Sequence, residues 1–563
     1  MTENYVSRRN FLTGAAMVAA GAAAAGLAGC APKTGNEDAG DATLAATGAS
    51  GVIPETWDEE ADVIVVGFGG SGIVASMSAL DNGASVIALE KDTMKNGGNM
   101  GRSSGCLHDS PGCDVDEWVE RYVHATLQCG ASAEEIRPVL AEASDIVNWI
   151  TDDYGVAVDW VDQPTDGHTH PSFQREGYPV SGKSGLNLYN DLLTAADARG
   201  VDVRLDTPAT RLIQDPATKE ILGVVAEVKG KETYFKAKKG VIMAIGGYER
   251  NPRMFYDYNL PGIHLIGGGN PCNTGDGFPM VMEVGADLWH MNEFHYGGMG
   301  FPAPSRERHI ATDPPKGTFG SRVTEPHIFV GRHGKRFMNE SYIYAHDQNH
   351  KEAFDVSTKF AFDKTFDQSR STQVQKYDPD CTSDYIHLPM FAVFGQTFYD
   401  AHQLMDEFTN EEAIENGWLW KADTLEELAA QMTGDAPCDT EECHVAGVNA
   451  ENLVQTVATY NQYCADGHDP EFLRDEPNLV PLEENGPYYA IQLMWTLDFT
   501  EGGPRRNGKC QTISVRKEPI PRLYSTGEFG SFNSTFYSIG GLVQACTTGR
   551  IAGREAAGLE PWC

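Results

Sequence analysis

Surplus positive charge is the first thing this 563-residue chain lacks: 43 Lys and Arg stand against 80 Asp and Glu, a formal net charge of −37. Too few cations are present to neutralise phosphates, which argues against a nucleic-acid partner and for solubility. Low complexity is also missing, since 60 Gly and 29 Pro stay well below the roughly 25–30% that marks such chains. Twelve Cys are present, yet none is spaced CxxC and none belongs to the CxxCH of a covalent haem. With 41% apolar residues the chain can bury a real core and needs no disulfide framework. Most cysteines are therefore expected to be small buried apolar residues, with a metal or cluster site as the alternative. Length alone allows two large units or up to about four of ordinary size.

Long uncharged apolar runs are equally scarce. One stands out, Thr13 to Gly29, rich in Ala and Gly and preceded by Ser7-Arg8-Arg9-Asn10-Phe11-Leu12. At about 17 residues it sits at the short edge of a membrane span. With paired arginines in front it reads as a twin-arginine export signal, residues 1–30. It ends Leu27-Ala28-Gly29-Cys30, which resembles a bacterial lipobox and implies lipidation of Cys30. The protein is thus expected on the extracytoplasmic face of a bacterial cell membrane. Residues 31–57, poor in large apolar side chains, read as a flexible tether.

What is present is a dinucleotide fingerprint. Val63 to Val66 is a β-branched run suited to a buried parallel strand. Gly67-Phe68-Gly69-Gly70-Ser71-Gly72 follows as GxGxxG, then a helix through Ile73–Leu80, then a strand from Ala84 to Leu89 ending at Glu90. Gly67 makes the tight turn, Gly69 admits the diphosphate, and Gly72 lets helix and strand pack closely. The helix N-terminus offers N–H groups and a positive dipole to the phosphates. Glu90, 18 residues beyond Gly72, is placed to accept from the adenosine ribose.

Further motifs follow in a fixed order. Lys91 to Gly105 is polar and Gly-rich, and includes Asn96, Gly97, Gly98, Asn99, Ser103 and Ser104. After it come Asp206-Thr207-Pro208-Ala209-Thr210, Ala244-Ile245-Gly246-Gly247-Tyr248, Asn273-Thr274-Gly275-Asp276-Gly277 and Gly334-Lys335-Arg336-Phe337-Met338-Asn339-Glu340. Leu523-Tyr524-Ser525-Thr526-Gly527-Glu528 and Thr548-Gly549-Arg550-Ile551-Ala552-Gly553 close the series. The set resembles the fumarate reductase/succinate dehydrogenase flavoprotein superfamily, which includes 3-ketosteroid dehydrogenases. The resemblance implies an α/β fold: a discontinuous Rossmann-like FAD-binding domain, 58–288 and 498–563, with an inserted α+β capping domain, 289–497, over the flavin. It implies FAD as cofactor, held by Gly67, Gly69, Gly70, Ser71, Gly72, Glu90, Lys91, Asn96, Gly97, Gly98, Asn99, Ser103, Ser104, Gly105, Ala209, Gly246, Gly247, Asp276, Gly527, Glu528, Gly541 and Leu542.

The same resemblance exposes departures. Fumarate reductases clamp a dicarboxylate with two His and two Arg, because each carboxylate needs a cationic partner. Here Phe499 stands at one His position, Ser538 at one Arg position, and no Arg follows Asn339-Glu340 where the proton donor would lie. The remaining His site resembles Phe294-His295-Tyr296. Phe499, Tyr344 and Tyr537 make the pattern aromatic, nearer to enone-handling flavoenzymes. Tyr344 is the expected acid, His346 its relay, and His295 and Tyr537 orienting donors. Gly502-Gly503-Pro504-Arg505-Arg506-Asn507 resembles the TxGGPRRN motif of an actinobacterial flavoprotein branch; Arg505 and Arg506 could meet a substrate anion or the carboxylates of the cap, and the structural role is the expected one.

The expected activity is reduction of an activated C=C bond in a small unsaturated organic substrate, an enone or an aromatic or steroid-like compound other than fumarate. Only one dinucleotide fingerprint is visible, and FAD takes it. Electrons are then expected from a membrane-associated, quinol-linked donor, a cytochrome or an FMN protein. The alternatives are a dehydrogenase running the other way, a fumarate- or methacrylate-type reductase, and a lipid-anchored binding protein.

Overall fold

A computed structural model describes residues 53–562 apart from 110–113, 126–129, 163–174, 259–265, 268, 301–324, 341–386, 388, 405–407, 436–443, 475 and 534–539. The export signal, Cys30, most of the tether, Tyr344, His346, Tyr537 and Ser538 lie outside the described residues. Among the described residues no helix is long and apolar enough to cross a membrane.

The fingerprint region folds as its pattern requires. The first strand, β1 (Glu59–Val66), has its last four residues buried. Helix α1 (Gly70–Asp81) buries its first ten residues against the sheet, as an almost charge-free sequence permits. Strand β2 (Val86–Leu89) is fully buried; it starts later than the run from Ala84 suggested, because Ala84 N–H still bonds the end of α1 at Ala79 O. A 13-residue strand, β3 (Lys231–Met243), pairs with β1 on its other side. Five parallel strands therefore run in the order Pro519–Ser525, β3, β1, β2, Asp202–Arg204. Chain order reverses about β1, and this topological switch opens a crevice at the strand's carboxyl end.

A second, six-stranded sheet is organised around β4 (Tyr488–Thr500). Its first half pairs with Met390–Gly395 and Leu419–Ala422, and its second half with Phe294–Gly300, all antiparallel. The continuous strand runs through the expected domain junction at 497/498 and delivers Asp498 and Phe499 to the crevice. The GKRFMNE segment serves this layer. Arg336 donates to Glu340 at 2.8 and 2.7 Å and to Asp469 at 2.9 Å, and Arg474 joins Glu340 at 3.3 Å, all deeply buried. Both guanidinium groups lie over the Tyr460 ring.

The last helix, α2 (Gly541–Ala557), packs along α1, where Ser78 Oγ donates to Arg550 O at 2.8 Å. The N-cap Gly540 of this helix and the N-cap Gly69 of α1 make no side-chain capping bond, and the first residues of both helices line the crevice.

Candidate cofactor site and substrate cleft

The crevice is a cleft of about 580 Å³. Its floor is the glycine turn. A Cβ on Gly67, at φ +93°, would lie 2.3 Å from Ala244 O, and one on Gly72 would lie 2.1 Å from Gly67 O. Neither position accepts a side chain without moving backbone. Around Gly69 the protein leaves ordinary contact distance, 3.5 Å from a built Cβ to Gly97 O, so close approach there is open to a ligand.

Of the residues expected to hold FAD, Gly67, Gly69, Gly70, Ser71, Glu90, Lys91, Asn96, Gly98, Asn99, Ser103, Ser104, Ala209, Gly246, Asp276, Gly527, Glu528, Gly541 and Leu542 line this cleft. Four others do not. Gly72 is the helix–turn contact, Gly97 faces Tyr189, Gly105 faces Ser184, and Gly247 faces Thr500 and Glu249. Their place is in the walls that shape the cleft.

Each polar lining group is held. Glu90 accepts from Phe68 N at 2.8 Å and from Asp92 N at 2.9 Å, which fixes its carboxylate at the end of β2. Lys91 Nζ reaches Asp276 at 2.5 Å and Thr274 at 2.7 Å, tying the second loop to the NTGDG segment. Asn96 Oδ1 accepts from Gly98 N at 2.9 Å and caps that loop. The helix N-termini, the glycine cradle and the ordered acids fit a dinucleotide: a diphosphate over α1, an adenosine ribose at Glu90, and Thr207-Pro208-Ala209 beside the base.

One feature escaped the sequence reading. Asn99 Nδ2 donates to Glu249 Oε1 and to Glu528 Oε2, each at 2.8 Å. Asn273 Nδ2 donates to the same Glu249 oxygen at 2.6 Å. Glu249 Oε2 is buried with no hydrogen-bond partner. Burial pushes the Glu249 carboxyl up to about 7, outweighing the two amide bonds and the Arg250 charge. Glu528 is raised well above the usual range by burial and by Glu249 and Asp498. The two acids titrate as a pair with the Asn99 amide between them.

At the far end, His295 and Phe499 are cross-strand partners whose rings stack at 4.9 Å with an interplanar angle of 2°. His295 Nδ1 lies 3.4 Å from Asp498 Oδ2. His295 therefore stands in the cleft, as its assignment as an orienting donor requires. The two arginines of the GGPRRN segment pair with groups other than carboxylates of the cap. Arg506 is fully buried and donates to Ser525 O at 3.1 Å and Gly527 O at 2.9 Å, which holds the turn that presents Glu528. Arg505 pairs with Glu135 at 3.3 Å and covers Trp289; Glu135 belongs to helix Ala133–Ala143, outside the capping segment. Their role is structural as expected, but with partners other than those expected.

A further group of lining residues was also missed. Cys106, His108, Glu176 and Tyr178 all line the cleft and share one face of a small antiparallel ribbon, Leu107–Asp109 against Arg175–Pro179. Neither short strand carries a polar–apolar alternation, since His108-Asp109 and Arg175-Glu176 are adjacent polar pairs, so the sequence held no signal for this face.

Comparison with known proteins agrees with this geometry. Residues 62–542 match the family described as FAD binding domain. A probable fumarate reductase of Shewanella frigidimarina is 26% identical over 509 residues, covering 88% of this chain and 74% of that protein. Digoxin reductase of Eggerthella lenta is 25% identical over 603 residues, covering 100% of this chain and 98% of that protein. Among solved structures, a 3-ketosteroid delta1-dehydrogenase from Sterolibacterium denitrificans superposes with a TM-score of 0.71 at 21% identity, over 89% of this chain and 99% of that one. With that family matched over residues 62–542 and a cleft built to hold the cofactor, this chain belongs to the FAD-binding flavoproteins and is an FAD-dependent oxidoreductase.

Proposed function

We propose that the protein saturates an activated C=C bond in a small acceptor other than a dicarboxylate: an enone, or an unsaturated aromatic or steroid-like compound. The observation that carries this reading is the wall beyond the FAD cradle. There His295 stacks on Phe499 with its Nδ1 3.4 Å from Asp498 Oδ2, and Glu176 lines the same cleft. Among the described lining residues the Lys and Arg side chains are Lys91, committed to Asp276, and Arg102 on the second loop. A dicarboxylate would meet carboxylates in that space, and an unpaired carboxylate withdrawn from water is strongly disfavoured.

Bound FAD supplies a hydride for the β-carbon of the polarised alkene. The chain has two remaining tasks: to stabilise charge developing on the activating carbonyl, and to place a proton on the α-carbon. We assign the proton to Tyr344, with His346 as relay, and carbonyl orientation to His295 and Tyr537. The product gains one hydride and one proton. The two electrons come from a membrane-associated donor, a quinol-linked cytochrome or FMN protein, which suits an enzyme exported by a twin-arginine signal and tethered through Cys30.

The test is a panel of unsaturated acceptors mixed anaerobically with chemically reduced protein and scored by flavin reoxidation. Neutral enones and unsaturated aromatics should reoxidise the flavin faster than fumarate. Preference for fumarate would overturn the proposal.

A further inference from the structure

The ribbon that carries Cys106, His108, Glu176 and Tyr178 is built so that these four side chains share one face. Its antiparallel register pairs His108 with Glu176 and Leu107 with Gly177, and continues to place Cys106 opposite Tyr178. Alternation along a strand then sends all four to the cleft. The opposite face is locked: Leu107 is fully buried, and Arg175 donates to Asp109 at 2.6 Å while lying 3.9 Å from the Trp160 ring centre. The four residues belong to no part of the FAD cradle and to none of the proton-transfer roles assigned above.

Glu176 is the centre of the group. Tyr178 Oη donates to its Oε2 at 3.1 Å, and His108 Nε2 stands 4.0 Å from its Oε1. Ligand atoms of Cys106, His108 and Glu176 all lie within 4.8 Å of one another. Burial, reinforced by Glu176, pushes the Cys106 thiol up to about 12, so it stays protonated and offers a proton to its neighbours. Burial likewise raises Tyr178, which stays a neutral phenol. Gly540, the N-cap of α2, packs on the other side of His108 and closes the group against the helix whose first residues line the cleft. The result is a half-buried carboxylate, steadied by its own donors, with accessible surface facing the substrate space.

We propose that Glu176 is the specificity-determining residue of this cleft and accepts a hydrogen bond from a hydroxyl or ammonium substituent on the substrate, while repelling substrate carboxylates. This rests on the reading of the cleft as an alkene-reducing site and adds the class of acceptor: one that carries a hydrogen-bond donor within reach of Glu176. A carboxylate acceptor makes a stronger bond than a neutral one and selects donors by charge as well as geometry.

The test uses the FAD-loaded protein and saturated ligands, with binding read from the flavin absorbance so that no turnover is needed. The probes are 4-ethylphenol, its methyl ether 4-ethylanisole, phenethylamine and 3-phenylpropionate. Wild type should bind the phenol or the amine about tenfold or more tighter than the ether, and the better of the two identifies the substituent. Glu176→Gln should weaken that ligand about tenfold, leave the ether unchanged and tighten 3-phenylpropionate severalfold, a reversal that loss of structure would not produce. Tyr178→Phe keeps the carboxylate and removes a competing internal donor, so it should bind the phenol or amine at least as tightly as wild type. Equal binding of ether, phenol and amine by wild type, or no change on Glu176→Gln, would overturn the assignment even if alkenes are reduced. Selective binding in a protein that reduces no alkene would leave this assignment standing and remove the proposed reaction.

Discussion

Replacement of Glu249 by Gln should stabilise the protein above neutral pH and do nothing in acid. In the fold Glu249 is buried and its carboxyl is raised from 4.5 to about 7. The folded state therefore holds a proton that the unfolded chain releases once pH exceeds about 4.5. More protons bound in the native state means that stability falls as pH rises, across the window from about 4.5 to 7, and levels off above it. A shift of that size corresponds to ~3 kcal/mol at pH 8, from about 1.4 kcal/mol per unit. Glutamine imitates the protonated acid: its carbonyl can accept from Asn99 and Asn273, and its amide replaces the partnerless Oε2. Thermal unfolding of the FAD-loaded protein should therefore give matching midpoints for wild type and variant near pH 4. At pH 8 the variant should lead by ~3 °C, taking an unfolding entropy of ~2.1 cal/mol/K per residue over roughly 500 residues. A variant less stable than wild type at pH 8, or a difference that does not vary with pH, would show that the fold holds Glu249 as a carboxylate and would refute the reasoning.

Other outcomes follow from the same geometry. Glu340 should behave with the opposite sign: burial opposes its charge, but Arg336 and Arg474 outweigh burial and hold it at about 2, so its contribution is present above about pH 4.5 and is lost as pH falls toward 2. Arg336→Met, which leaves Glu340 to Arg474 alone and takes the guanidinium from Asp469, should cost roughly 3–5 kcal/mol in urea unfolding, and a loss under 1 kcal/mol would contradict the buried-network account. Gly72→Ala places a Cβ 2.1 Å from Gly67 O and should yield protein with little or no flavin absorbance; full FAD content would show that the turn yields. Tyr344→Phe should retain FAD and slow reoxidation by an enone roughly 10²–10⁴-fold, and an unchanged rate would remove Tyr344 from proton delivery.

The parts of the fold legible in the sequence were those where local pattern and long-range need coincide. β1, α1 and β2 announce themselves because a buried parallel strand, a glycine turn and an uncharged helix have no other consistent arrangement. The NTGDG and LYSTGE segments were likewise placed at the cleft before any geometry was available. What escaped depends on contacts between residues far apart in sequence. Glu249 looks like an ordinary charge after a glycine pair; only Asn99, 150 positions away, and Glu528 make it one of a proton-sharing pair. Arg506 looked ready to meet a carboxylate, but the turn at Ser525–Gly527 takes its guanidinium. The Cys106–Tyr178 face arises from two three- to five-residue strands and exists only through their pairing. The junction at 497/498 was drawn between motifs, whereas β4 crosses it because one continuous strand serves both the second sheet and the cleft.

The most direct measurement is a stopped-flow comparison of two oxidants on one sample of reduced protein: fumarate, and a neutral hydroxylated aromatic enone at the same concentration. The account predicts reoxidation by the enone at least a hundredfold faster, with fumarate near the rate of spontaneous reoxidation. Comparable or faster reoxidation by fumarate would contradict it, because the acidic, ring-lined wall around His295 and Phe499 would then have to bind the dianion it is built to exclude.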